Sequence, residues 1–388
     1  MKRVKICAKS FVIPSYKTLF RPLNHLVPCA PELLSRSNKP LAMNLEELLH
    51  VLVYFHLQEH SSGRAMLQEL KQDDLARQVI APQGGLCRST FFETINDRGV
   101  EQFMFIFQEL QKQAASVLPN RHPELGKLVA VDGSLIEAVL SMHWAEYRTG
   151  SNKAKLHLGF DINHGIPKKL ALTDGKGGER PFVSQIVEPG ETGILDRGYQ
   201  DHCLFEQWRK DDRHFVCRIK DLTSINTVAI FAQQESTGFH DAKVRLKTAD
   251  ANQSREPLRL VGYKVGGKQF WLVTDRFDLT AEQVAMIYKL RWDIEKFFGW
   301  WKRHLKVYHL IARSEHGLMM QIIAGLITYL LLAIYCHEQH GETVSIARVR
   351  ELRCKIRNEA LLAMKKHYKI PAPKKKQLSQ RLRPHARF

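Results

Sequence analysis

Residues 288–302 read YKLRWDIEKFFGWWK. Within them Tyr288, Arg291, Glu295 and Lys302 stand at offsets of 0, 3, 7 and 14. At helical pitch these positions fall at about 0°, 300°, 340° and 320°, so one helix carries all four within an arc of about 60°. Ile287, Leu290, Ile294, Phe297, Phe298 and Trp301 form an apolar stripe beside that arc. Lys289, Asp293 and Lys296 point the other way. One carboxylate therefore sits among a phenol and two cations at the rim of a buried face. Such a stripe suits a surface that holds a metal ion and grips a phosphate backbone. The same pattern is also that of an ordinary amphipathic helix with an internal Arg291/Glu295 pair.

The 388 residues include 58 Lys and Arg against 40 Asp and Glu, a net charge of +18. That balance favours a polyanionic partner, nucleic acid before membrane. Residues 345–388 hold a large share of the excess, a basic tail that is either DNA-facing or merely solvated. The seven cysteines are scattered, with no C-x-x-C and no Cys/His cluster at zinc spacing. They read as reduced thiols of a cytoplasmic protein. Leu318–Cys336 (LMMQIIAGLITYLLLAIYC) approaches the length of a membrane span. It has no second span to accompany it and follows the polar-striped helix, where a core helix is needed, so it reads as buried and no membrane partner is expected.

Residues 1–125 look helical, with a break at Gly84-Gly85 and Ser89 as a plausible N-cap. From about residue 126 the texture turns to short strands. Leu128–Val131 ends at Asp132, Gly193–Leu195 ends at Asp196, and runs near 154–162, 169–173 and 215–219 complete the set. Residues 222–275 carry four further runs of antiparallel type, the last two joined at Gly266-Gly267. Thr280 and Gln283 then form a capping box ahead of the polar-striped helix.

Asp132 and Asp196 each stand in small-residue contexts, Val131-Asp132-Gly133-Ser134 and Leu195-Asp196-Arg197-Gly198-Tyr199. Each alone could be a simple Asp/Gly turn. With Glu295 they make three carboxylates, a set able to hold two divalent ions about 4 Å apart and drive in-line phosphoryl transfer. The expected ion is Mg²⁺, with Mn²⁺ able to substitute.

Asp-Arg-Gly-Tyr at 196–199 and the spaced set Tyr288-x2-Arg291-x3-Glu295-x6-Lys302 resemble the signatures of DDE transposases of bacterial insertion sequences, in particular the insertion-sequence-four family with its Tyr-Arg-Glu-Lys pattern. The resemblance spans roughly 126–335. It implies an α/β, RNase H-like core, a mixed sheet flanked by helices and interrupted by a β-rich insertion, behind an N-terminal helical domain. The division read along the chain is 1–125 helical, either DNA-binding or a scaffold or dimerisation module, 126–221 first part of the core, 222–275 insertion, 276–340 second part of the core with the third acid, and 341–388 a basic C-terminal region. Asp132, Asp196 and Glu295 become the metal-binding catalytic triad. Tyr288, Arg291 and Lys302 become DNA-gripping residues, while Trp292, beside the stripe at about 40°, either stacks on an unpaired base or packs on the insertion. The implied partners are double-stranded DNA, both terminal inverted repeats and target, and a second copy in a synaptic homodimer. The place of action is the bacterial cytoplasm at the nucleoid. A nuclease on the same fold without strand transfer, and a non-enzymatic DNA-binding relic, are the alternatives.

Overall fold

The computed structural model describes residues 12–35, 41–74, 76–82, 84–234, 238–247 and 256–367. The basic stretch 368–388 lies outside the described residues, as do the side chains of Lys366 and His367.

The chain opens with helices α1 (Pro14–Phe20), α2 (Leu45–Leu57), α3 (Gly63–Gln72), α4 (Arg88–Asp97) and α5 (Val100–Val117). Asn44 and Glu47 close a capping box on α2. Cys87, not Ser89, takes the N-cap position of α4. The helix starts two residues earlier than expected, and the Ser89 hydroxyl instead lies 3.2 Å from the Cys87 sulfur.

The sheet follows: β1 (Lys127–Ala138), β2 (Glu146–Arg148), β3 (Ser151–Asp161), β4 (Ile166–Asp174), α6 (Arg180–Ile186), β5 (Glu191–Leu195), α7 (His202–Lys210) and β6 (His214–Arg218). β1 pairs antiparallel with β3, and β3 with β4. β5 lies parallel to β1, and β6 parallel to β5. The order β4-β3-β1-β5-β6, three antiparallel strands followed by two parallel ones, is the RNase H-like arrangement.

β1 corrects one expectation. The strand does not stop at Asp132 but runs on to Ala138. Its pairing with β5 ends at Ala130↔Ile194, while its pairing with β3 continues to Ala138↔Asn152. Asp132 therefore sits mid-strand, just where β1 loses one of its two neighbours.

Strands β7 (Ser224–Gln234), β8 (Phe239–Lys247), β9 (Leu258–Val265) and β10 (Lys268–Thr274) form the β-rich stretch between the second and third acids. They do not stand apart from the core sheet. β10 pairs antiparallel with β6, from Leu272↔Arg218 to Thr274↔Val216, so the stretch extends the same sheet out to β7 at its far edge.

Alternation along β1 sorts its side chains onto two faces. Val129 and Val131 join Val183, Ile186, Leu195, Phe205, Trp208 and Phe215 in a core under α6 and α7. Leu128 and Ala130 join the larger core with α8 (Ala281–Leu290), α9 (Trp292–His304), α10 (Glu315–His340) and the N-terminal helices. The C-terminal helix α11 (Ile346–His367) adds Val349, Leu352 and Ile356.

Helix α10 is long and apolar enough to cross a membrane by length and composition. Here it is the buried axis of the larger core. Its two buried polar residues are satisfied inside the protein. Gln321 donates to the carbonyls of Val307 (3.1 Å) and His309 (2.9 Å) and accepts from the Ile311 N–H (2.9 Å); Thr328 donates to the Ala324 carbonyl (2.7 Å). His56 of α2 lies 2.7 Å from the Leu305 carbonyl and 3.1 Å from the Gln321 carbonyl, tying the N-terminal helices to the end of α9.

Candidate active site

The parallel register Ala130↔Ile194 puts Asp132 and Asp196 level on neighbouring strands, two residues beyond the last pair. Asp196 follows the end of β5 and opens the short turn Arg197–Tyr199. The Gly133 N–H donates to Asp132 Oδ1 at 2.9 Å. Gly133 leaves room for the ends of two long side chains. A Cβ there would lie 2.7 Å from Glu179 Oε1 and 2.9 Å from Lys155 Cε. Those two side chains form an ion pair at 2.6 Å.

The helical signature comes down on these strands. Tyr288 donates its hydroxyl to Asp196 Oδ1 at 3.0 Å. Arg291 bridges to Glu295 Oε1 at 2.6 Å, the pair anticipated from their spacing. Lys302 donates to the Leu135 carbonyl of β1 at 2.6 Å, three residues beyond Asp132. The signature is carried not by one helix but by two. α8 ends at Leu290 and α9 begins at Trp292, and the Arg291 N–H bonds to the Tyr288 carbonyl at 3.2 Å. This tightened turn separates Tyr288 from the other three residues. The Arg291 guanidinium bridges the joint, 5.7 Å from the Tyr288 ring centroid and 5.8 Å from that of Trp292. Trp292 is 57% exposed and so is not buried against the β-rich extension.

The electrostatics follow from partial burial. Burial pushes the Asp132 carboxyl up to about 6; Glu179 and Glu295 push the same way, while the Gly133 N–H and Arg291 oppose. The Tyr288 phenol is pushed up to about 12, first by burial and then by Asp196. Burial lowers the Lys302 ammonium, against the pull of Glu137 and Asp132. Burial also disfavours the charge on Arg291, but Tyr288, Glu295 and Asp196 outweigh it and hold the guanidinium above its usual range. Arg291 Nε is buried with no acceptor among the described residues. The Tyr199 hydroxyl is buried nearby, in the field of Glu179, Asp132 and Asp196.

Three residues near the site went unread in the sequence. Glu179 and Lys155 flank Gly133, and Arg218 lies 4.9 Å from the Phe270 ring centroid and within the field of Tyr288. Glu179 follows Gly177-Gly178 and precedes Arg180-Pro181, a stretch that reads only as a turn. Nothing in its spacing points to Asp132.

The donor set is all carboxylate oxygen, the chemistry a hard divalent cation takes. Burial first, then Glu179 and Glu295, disfavour the ionised Asp132 carboxyl, a charge that a cation there would stabilise. Among the described residues no three acids, histidines or cysteines converge closely enough to close around an ion. The fit is therefore one of chemistry and charge, with Glu295 turned to Arg291 and Asp196 to Tyr288.

The family model described as "Transposase DDE domain" matches residues 123–331. A putative transposase for insertion sequence element IS4SA from Synechocystis sp. is 26% identical over 271 residues, 68% of this chain and 76% of that protein. The putative transposase y4zB of Sinorhizobium fredii is 29% identical over 198 residues, 49% of this chain and 56% of that one. A probable transposase for insertion sequence element IS5377 from Geobacillus stearothermophilus is 25% identical over 214 residues, 54% of this chain and 57% of that one. Among solved structures, the piggyBac transposase synaptic complex with hairpin DNA is similar over 95% of this chain and 82% of that one, at 13% identity and a TM-score of 0.44, too distant to bear on the site. The family match takes in more than half of the chain and holds both strand aspartates and the whole helical signature: the protein belongs to the DDE-domain transposases of insertion sequences.

Proposed function

We propose that the chain binds the terminal inverted repeats of its insertion sequence, cuts the DNA there and joins the freed ends to target DNA. Asp132, Asp196 and Glu295 are the catalytic carboxylates of this reading. The observation that carries it is the meeting of the helical signature with the strand aspartates. Tyr288 bonds Asp196, Lys302 bonds β1 beside Asp132, and Arg291 bonds Glu295. Mg²⁺ is the ion of this reading, two per site, with Mn²⁺ able to substitute. When bound, the ions supply Lewis-acid activation of the attacking oxygen and charge relief at the leaving oxygen.

The chain's own residues do the rest. Asp132 must be ionised to serve, and its raised carboxyl keeps it poised near neutrality. Arg291, with an unpartnered Nε, and Lys302 offer donors to the phosphate next to the cut. Trp292 is exposed beside them and can stack on an unpaired base. Residues 1–125 take the role of a DNA-binding helical domain, 126–221 and 276–340 make the catalytic core around the 222–275 extension, and 341–388 adds basic surface. Two copies act together, one at each end.

The triad is tested with Asp132→Asn, Asp196→Asn and Glu295→Gln. Each should abolish Mg²⁺-dependent nicking at end DNA while a gel shift still shows end binding, because each removes a metal ligand and no cationic surface. Wild-type nicking by any one of them removes that residue from the triad.

A further inference from the structure

Among the described residues β7 is the last strand of the sheet, with β8 as its one neighbouring strand. Every one of its eleven residues is exposed. Its sequence, SINTVAIFAQQ, contains none of the chain's 58 cations or 40 acids and no proline. Ile225, Val228, Ile230 and Phe231 are all open to solvent, the last three by about half (47%, 57% and 53%). An open edge of this kind presents unpaired N–H and C=O groups to another strand, and proteins usually guard it with lysine, proline, an inward charge or a bulge. Only the bulges are present. Val228 and Phe231 are each an extra residue against β8, and they bring large apolar side chains to the edge where a guarding bulge would bring charge.

We propose that β7 is an interface for a second copy of this chain, paired antiparallel with its own counterpart across a two-fold axis. The idea rests on the reading of the chain as a transposase that works as two copies. Unpaired backbone groups call for a strand as the occupant. The absence of cations on β7 argues against DNA, whose phosphates would need them. Two copies of a chain carrying +18 repel each other over most of their surface, and β7 is a long exposed segment where they meet without like charges. The edge can also pair with itself: antiparallel about Ala229, Val228 of each copy faces Ile230 of the other, as a two-fold contact requires. Eleven extended residues span about 37 Å. A pair of such strands buries on the order of 1,000 Å², the lower bound for a specific interface. Such an association is weak alone and strengthens when each copy also holds a DNA end.

The test is sedimentation equilibrium of the full chain, with and without precut end DNA, on wild type and two double variants. Val228→Glu with Ile230→Glu, and Val228→Lys with Ile230→Lys, change exposed side chains and leave the core alone. Each variant should weaken self-association by about ten-fold or more, and mixing the two should restore it, because opposite charges then face each other. In the wild type, amides of 224–234 should gain protection from hydrogen exchange as concentration rises. If wild type dimerises and both variants dimerise equally well, the two-copy reading stands and β7 is not the interface. If the Glu pair loses DNA affinity and the Lys pair gains it with no change in association, the strand is a DNA contact and the proposal fails. If no dimer forms even on precut ends, the two-copy reading and this inference fall together.

Discussion

Asp132→Asn keeps the shape of the side chain and removes a buried charge. In the folded chain that carboxyl is pushed up from 3.8 to about 6, by burial first and then by Glu179 and Glu295. The folded state thus binds this proton more tightly than the unfolded state does. The stabilisation it brings is complete below about 3.8 and is lost as pH rises through about 6. A difference of about two units corresponds to ~3 kcal/mol of destabilisation by the ionised wild-type side chain above pH 6. In a divalent-free buffer at pH 8, Asp132→Asn should therefore melt a few degrees higher than wild type. At pH 5 the gain should fall to about half, because there the folded wild-type carboxyl is mostly protonated. Thermal melts of both chains at the two pH values, in the presence of a chelator, decide it. Equal melting temperatures at pH 8, or a gain that grows as pH falls, would refute the claim that Asp132 is held ionised against its surroundings.

The same carboxyl sets the ion requirement: the Mg²⁺ concentration for half-maximal nicking of end DNA should rise as pH falls through about 6, and a requirement that does not change between pH 8 and pH 5 would remove Asp132 from the metal-binding set. Arg291→Ala and Lys302→Ala should weaken binding to precut ends more than to intact duplex, since both lie beside the acids; an equal loss on every DNA in a salt titration would make them ordinary phosphate contacts. Gly193→Ala should cost about 1–3 kcal/mol in an equilibrium melt, because the new methyl meets the Trp208 ring at 2.7 Å under the strand that positions Asp196; unchanged stability would mean that the ring yields freely.

What could be read from the sequence was local. The Thr280/Gln283 capping box, the glycines of the β9–β10 turn and the apolar run of α10 each declare themselves within a few residues, and the structure contains all three. The i,i+4 spacing of Arg291 and Glu295 likewise sufficed to pair them. What escaped depends on distant partners. β1 continues past Asp132 only because β3 stays beside it after β5 has ended. The β-rich stretch joins the core sheet through Val273↔Cys217, a pairing no local pattern announces. Glu179 comes to Gly133 from another element, so it has no spacing to be read from. The break at Arg291 falls in a run with sound helical periodicity, and no proline or glycine marks it.

The most direct measurement is covalent joining. A labelled duplex ending in the element's inverted repeat is incubated with the full chain, Mg²⁺ and unlabelled target DNA, and the label is followed on a denaturing gel. The account predicts that label moves into target-sized strands through the 3′-OH of the cut end, and that Asp196→Asn abolishes the transfer. Cleavage of the labelled end with no joined product, at any Mg²⁺ or Mn²⁺ concentration, would contradict it and leave a nuclease on a transposase fold.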